Sequence, residues 1–335
     1  MTMCYSSCKL WQKCEQSVDN LKNMANVRIV EVTEEDEGQR VDNFLMRHLR
    51  KAPRTLIYRI IRKGEVRVNK GRVKVSTRLK SGDMVRIPPV TVPEKIEINE
   101  SDIPHAQLKR IEASILFEDK DLMVINKPSG IAVHGGGGMN WGLIEVVRVL
   151  RPLAKRLELV HRIDRDTSGC LLIAKKASVL KDLHAQIRAN KFDKRYLAIV
   201  MGQWPKNVQK VDIPLRKAHL KEGGWHVSVD KTGKEAVSYF RLEQHLNGCD
   251  LMTVKLKTGR THQIRVHALA QGSALLGDDR YGDREVNKQY RKLGMKRLAL
   301  HAQFLGFTHP ATQEWVEFEA PLYSDFKNII NTLEK

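Results

Sequence analysis

Leu159-Val160-His161-Arg162-Ile163-Asp164-Arg165-Asp166-Thr167-Ser168-Gly169-Cys170-Leu171-Leu172-Ile173-Ala174 sets two apolar strand-like stretches around a dense polar loop. One histidine, two arginines and two aspartates crowd that loop. Polar loops between rigid elements are where sites are usually built. Spacing alone serves a charge-balanced surface turn equally well, with Asp164 and Asp166 pairing the arginines.

Further strand-like segments surround this stretch. Ile115-Leu116-Phe117, a turn at Asp119-Lys120-Asp121 and Leu122-Met123-Val124-Ile125 predict a hairpin. Others run at 195–201, 225–229, 237–242, 251–256, 298–307 and 315–318, with helical patterns at about 140–150, 176–189, 262–271 and 323–334. Strands outnumber helices and hairpin turns recur. The expected architecture over residues 111–335 is therefore an α+β domain with a mixed, mostly antiparallel sheet.

The N-terminal part has a different character. Between Arg40 and Arg86 there are 15 Lys/Arg against Asp42, Glu65 and Asp83, or +12 in 47 residues. Val41, Phe44, Leu45 and His48 share one helix face, and Leu56, Ile57, Ile60 and Ile61 share another. Pro53 fits the first position of the second helix and Gly64 its C-terminal cap. Strand-like Glu65–Asn69, a turn at Lys70-Gly71, a second turn at Ser81-Gly82-Asp83 and strand-like Met84–Ile87 complete a compact module over 27–90. Like charges repel, so such a density of one sign argues for a polyanionic partner rather than a merely solvated face. Arg54, Arg59, Arg62, Lys63, Arg67 and Lys70 are the candidate nucleic-acid-binding residues. Pro88, Pro89 and Pro93 open an expected linker over 91–110. Residues 1–26 lack periodicity and are expected to be a disordered extension, with Met24 as a second possible start.

Composition narrows the class. The whole chain holds 58 Lys+Arg against 39 Asp+Glu, a formal charge of +19. No apolar run approaches the roughly 20 residues of a membrane span, and no secretory signal is expected from the opening residues. With 41% hydrophobic residues it can bury real cores, and with 6% aromatics it offers no extended base-stacking platform. Cys4, Cys8, Cys14, Cys170 and Cys249 fit no metal or disulfide pattern, so a reducing cytoplasm is the expected setting.

Two further segments carry chemistry. Lys194-Arg195-Tyr196 starts a strand with a phenol beside two cations. In Thr258-Gly259-Arg260-Thr261-His262-Gln263-Ile264-Arg265-Val266-His267, Thr261 is expected to cap a helix. His262 and His267 are five apart, whereas a helical His–His metal pair wants i, i+4, so no metal is expected. Gly135–Gly138 lacks the Gly-Lys-Ser/Thr ending of a phosphate loop, and the His-Arg of the first segment has no kinase partners.

Together these segments resemble the RluA family of pseudouridine synthases. The family's first signature stands here as His161–Gly169, with Ile163 in place of the usual Leu. Asn126–His134, Lys194-Arg195-Tyr196 and Gly259–His267 resemble its other motifs. Arg40-Val41-Asp42 and Lys63–Lys70 resemble the small RNA-binding domain named after ribosomal small-subunit protein four. The resemblance implies an enzyme that turns uridine into pseudouridine, with Asp164 as catalytic carboxylate. It implies Tyr196 stacked on the uracil and Arg265 beside Asp164 to keep it ionised. Arg162, Arg260, His262 and Gln263 would bind substrate. The implied partner is 23S ribosomal RNA, modified at three uridines by a monomer. An isomerisation calls for no cofactor, so none is expected. Other uridines of 23S or transfer RNA are the alternative targets. A non-catalytic ribosome-assembly protein would leave the motif positions unexplained, and an RNA glycosidase would release free uracil.

Overall fold

The computed structural model describes residues 26–49, 52–90, 99–135, 141–219 and 225–334. The expected extension falls almost wholly outside the described residues, as does the segment 91–98. The chain divides into two compact units, up to Glu97 and from Ile98 onward.

In the first unit, helices Val41–His48 and Arg54–Arg62 pack on a four-stranded antiparallel sheet ordered Arg28–Glu31, Met84–Ile87, Arg67–Val68, Gly71–Arg72. Phe44, Leu45, Ile57, Ile60 and Val85 fill its core, so the helical periodicity identified the inward faces. Pro53 stands one residue before the second helix, its φ of −66° already helix-like. Gly64 closes that helix at φ +70°, a conformation that favours glycine. Asn69 and Lys70, at φ 48° and 67°, make the hairpin turn. Arg54, Arg59, Arg62, Lys63 and Lys70 are exposed and Arg67 half-buried, with only Lys63 ion-paired among them, at 4.0 Å to Glu65. Reversing Arg59, Arg62 and Arg67 to Glu is expected to weaken RNA binding and flatten the slope of log affinity against log salt, because fewer counterions are released. A salt titration of the triple variant checks this; an unchanged slope contradicts it.

The second unit is built on a ten-stranded sheet. Its main order is Lys210–Asp212, Val237–Leu246, Cys249–Leu256, Asp193–Met201, Leu300–Thr308, Ser168–Ala174, Leu122–Lys127, Ile115–Glu118. Trp315–Glu319 and Glu158–Leu159 add to its sides. Pairing is antiparallel except between Ser168–Ala174 and Leu300–Thr308. The α+β expectation holds.

Both faces of the central sheet are covered. Met123, Ile125, Leu171 and Ile173 enter one core with Leu143–Leu150 and Gln263–Ala270, whereas Leu122, Val124, Leu172 and Ala174 enter a second with Ala177–Arg188. Two-sided burial explains why these strands read as unbroken apolar runs. The expected linker needs correction at its second half. His105–Glu112 is a helix whose Leu108 and Ile111 are buried in the main core. Helix Arg284–Lys292, hairpin Leu215–His219 with Trp225–Val229, and the C-terminal helix Ser324–Leu333, whose Phe326, Ile329 and Leu333 pack with Leu197 and Ile199, complete the unit.

Candidate active site

The loop between Glu158–Leu159 and Ser168–Ala174 is held in place by its neighbours. Leu159 pairs with Ile173, which brings the ends of the loop together. The Leu172 N–H donates to His161 Nε2 at 3.2 Å, and burial pulls that imidazole down to about 3, so it stays a neutral acceptor. The far side is clamped by Asn126–Gly130. Lys127, fully buried, donates from Nζ to the carbonyls of Pro128, Ile131 and Arg165 at 2.9, 2.8 and 2.9 Å. Gly130 N–H donates to the same Arg165 carbonyl at 3.0 Å, and Ser129 Oγ donates to Asp166 O at 2.6 Å. Three carbonyls match the three protons of an ammonium. Lys127→Met is therefore expected to destabilise the fold by about 2–4 kcal/mol, because it strands buried acceptors; the thermal midpoint measures it. Gly169 cannot be replaced, since at φ +109° any Cβ would collide with the Ala302 carbonyl.

Asp164 is delivered to the floor of a cleft of about 1200 Å³. Its side chain is 19% exposed. Arg265 Nη1 lies 3.6 Å from Asp164 Oδ2, as the sequence reading expected. Arg265 is not Asp164's alone, however. Its Nε and Nη2 grip Asp278 Oδ2 and Oδ1, each at 2.7 Å, and Asp278 is fully buried. Asp278 also accepts the N–H groups of Arg280 and Tyr281 at 3.0 Å each. Arg265 favours the ionised form of Asp164, but it is not the largest influence on it. Burial pushes the Asp164 carboxyl above the usual range, and Arg265 and Arg162 only partly offset this.

A second pocket of about 90 Å³ joins Asp164 to Tyr196, Ile163, Leu256 and Leu300. Tyr196 is buried on the strand Asp193–Met201. Burial, then the Asp164 charge, raises its phenol well above the ordinary value. The pocket thus presents an apolar slot, a neutral phenol and a carboxylate side by side.

The remaining candidates separate. Arg162 is exposed and lines both cavities. Arg260 is exposed at the rim, its Nε donating to Glu235 O at 2.9 Å. Gln263 does not serve as a substrate ligand. Its Oε1 accepts from Thr258 Oγ1 and Arg260 N at 2.8 and 2.9 Å, and its Nε2 donates to Val237 O and Ser238 Oγ at 3.0 and 2.9 Å. With all four positions used, it holds the loop. Thr261 is not the helix cap either: His262 occupies that position, in a left-handed conformation at φ 55°. His262 and His267 diverge, His267 being buried against Ser238 and Ile213. Asp278 was absent from the sequence reading, as were the cleft cations Arg110, Arg280, Arg284 and Lys296. With Arg162, these four carry no ion pair among the described residues, which suits a polyanion. Asp164, Tyr196 and Arg265 line one pocket.

Comparison with known proteins shows the family. A family model described as RNA pseudouridylate synthase matches residues 121–270, and one described as S4 domain matches residues 39–85. Ribosomal large subunit pseudouridine synthase C of Yersinia pestis is 47% identical over 312 residues, covering 92% of this chain and 96% of the relative. The protein of the same name from Escherichia coli K12 is 49% identical over 311 residues, covering 92% and 97%. Among solved structures, human RNA Pseudouridylate Synthase Domain Containing 4 shares the fold at a TM-score of 0.57 and 24% identity, over 68% of this chain and 95% of that one. Human RNA Pseudouridylate Synthase Domain Containing 1 does so at 0.52 and 24%, over 62% and 83%.

Proposed function

Since this chain belongs to the RNA pseudouridylate synthase family and carries an S4 domain ahead of its catalytic domain, we propose that it isomerises uridines of 23S ribosomal RNA, with Asp164 as the catalytic carboxylate. The observation that carries this reading is the juxtaposition of Asp164, Arg265 and Tyr196 at one pocket within a cation-lined cleft. The names of the relatives at 47–49% identity support the large-subunit RNA as the target.

The reaction breaks N1–C1′, turns the uracil, and joins C5 to C1′; C5 loses a proton and N1 gains one. A carboxylate beside the sugar serves either by attack at C1′ or by removing the C2′ proton, and both need it ionised. Tyr196 forms the wall on which the uracil stacks. A base cannot react inside a helical stack, so the uridine must swing out, and Arg162 at the cleft mouth fills the space it leaves. The N-terminal module grips phosphates without reading sequence. The chain works as a monomer in the cytoplasm on three uridines. Among the described residues no helix is long and apolar enough to cross a membrane.

Two tests apply. Pseudouridine mapping of ribosomal RNA from a deletion strain should lose signal at sites in 23S RNA, and their number counts the targets. Loss confined to transfer RNA, or release of free uracil by the purified protein, contradicts the reading. The second test is pH. Activity requires ionised Asp164, whose carboxyl burial holds above the ordinary value of 3.8. The rate should therefore fall as pH drops through an acid limb lying above that value, in a single-turnover profile.

A further inference from the structure

We propose that His262 is a positioning residue for the catalytic carboxylate: its Nε2–H is turned toward Asp164 Oδ2 and, with Arg265, fixes that oxygen so that Oδ1 meets the sugar. The assignment rests on the role given to Asp164 above.

The first support is the backbone. His262 sits at φ 55° and ψ 20°, a left-handed conformation that costs a non-glycine residue energy and persists only where the surroundings impose it. Gln263, locked by four hydrogen bonds, supplies that imposition from the next position. The strain directs the ring inward. There it lies 4.7 Å from the Trp225 ring and 5.4 Å edge-on to Tyr281, with its side chain only 7% exposed.

The second support is the hydrogen-bond chain. Tyr281 Oη accepts the Val227 N–H at 3.2 Å and lies 2.8 Å from His262 Nδ1. Burial raises the Tyr281 phenol above its ordinary value, so it keeps its proton and donates it to Nδ1. An imidazole that accepts at Nδ1 carries its proton on Nε2. It is not a cation. Burial first, then Arg265, Arg280 and Arg162, outweigh Asp278 and pull it down to about 3. The groups that face it are these four together with Asp164 and Tyr281.

The third support is the target. Nε2 lies 3.8 Å from Asp164 Oδ2, the oxygen that Arg265 Nη1 approaches at 3.6 Å. Both are just beyond hydrogen-bond length, and a shift of under an ångström closes them. Arg265 is clamped on Asp278 and cannot follow the carboxylate if it turns. A second donor on the same oxygen removes that rotation. A neutral donor does so without pairing off the charge that the reaction uses.

The test uses the purified full chain, a 23S RNA fragment and single-turnover kinetics. His262→Asn suits the left-handed backbone but is too short to reach Asp164. It should lower the rate about tenfold or more, the worth of one hydrogen bond to a charged group, with RNA affinity unchanged. Its acid limb should move to higher pH, because a donor to the ionised form is gone. His262→Gln, whose amide N–H reaches the Nε2 position, should recover part of the rate. If His262→Asn does not fold, Tyr281→Phe replaces it, and the rate should fall with the acid limb again moving up. An unmoved acid limb, or a loss in affinity that accounts for the loss in rate, overturns the assignment. Wild-type protein that forms no pseudouridine overturns the functional reading instead.

Discussion

Asp164→Asn should abolish pseudouridine formation, by at least about 10³-fold, while folding and RNA binding persist. The amide keeps the shape of the side chain but can neither attack C1′ nor hold the C2′ proton. Stability should not fall. Burial raises the Asp164 carboxyl, which means that the fold disfavours its charged form. A carboxyl whose folded pKa is raised contributes stability below its unfolded pKa and loses it as pH rises through the folded one. At neutral pH the charge is therefore a cost, and the neutral amide removes it. RNA binding should hold or improve, since one negative charge leaves a cation-lined cleft. Asp166→Asn should be far milder. Asp166 is held through its backbone by Ser129, and its carboxylate pairs with exposed Arg165 at 3.1 Å. A purified Asp164→Asn protein that turns over near the parent rate would remove Asp164 from the mechanism.

The largest effect on stability is expected at Asp278. Arg265 and Asp278 have side chains 9% and 0% exposed, and they form two parallel hydrogen bonds. Asp278→Ala leaves a guanidinium buried with half its partners gone, which should destabilise the fold by about 3–5 kcal/mol. It also strands the N–H groups of Arg280 and Tyr281. Freed from its clamp, Arg265 closes onto Asp164 and drags the carboxylate out of line. A misplacement of about 1 Å costs on the order of 10²-fold in rate. Thermal unfolding and single-turnover kinetics read the two effects separately, and an unchanged melting temperature would contradict the first.

Asp278 also marks where sequence reading stops. Local patterns found the basic module, because its helices bury one periodic face and Gly64 caps the second; its hairpin turn was expected at Lys70-Gly71 and lies one residue earlier, at Asn69 and Lys70. The polar loop at 161–167 was legible because apolar strands bound it and the motif marks it. Asp278 pairs with Arg265 across 13 positions, through a turn that no period announces. Thr261 was a reasonable cap by composition. What displaced it was the amide of Gln263, whose four partners lie on segments as distant as Val237. The helix His105–Glu112 was hidden because only Leu108 and Ile111 of its eight residues point inward, too few to show a period beside three prolines.

The sheet order has a consequence for the time at which the site comes into being. Leu300–Thr308 lies between Ser168–Ala174 and Asp193–Met201. It is the seam between the half that carries the Asp164 loop and the half that carries Tyr196. During synthesis every other strand of the sheet except Trp315–Glu319 leaves the ribosome before it. A nascent chain halted ahead of residue 300 therefore holds carboxylate and phenol on two unjoined sheet fragments, each with a bare edge. Joining them needs contacts between residues more than a hundred positions apart, such as His301 with Ser168, and such contacts form late and slowly. A chain halted ahead of residue 300 is therefore expected to be inactive, and activity should appear only once Leu300–Thr308 has joined the two halves.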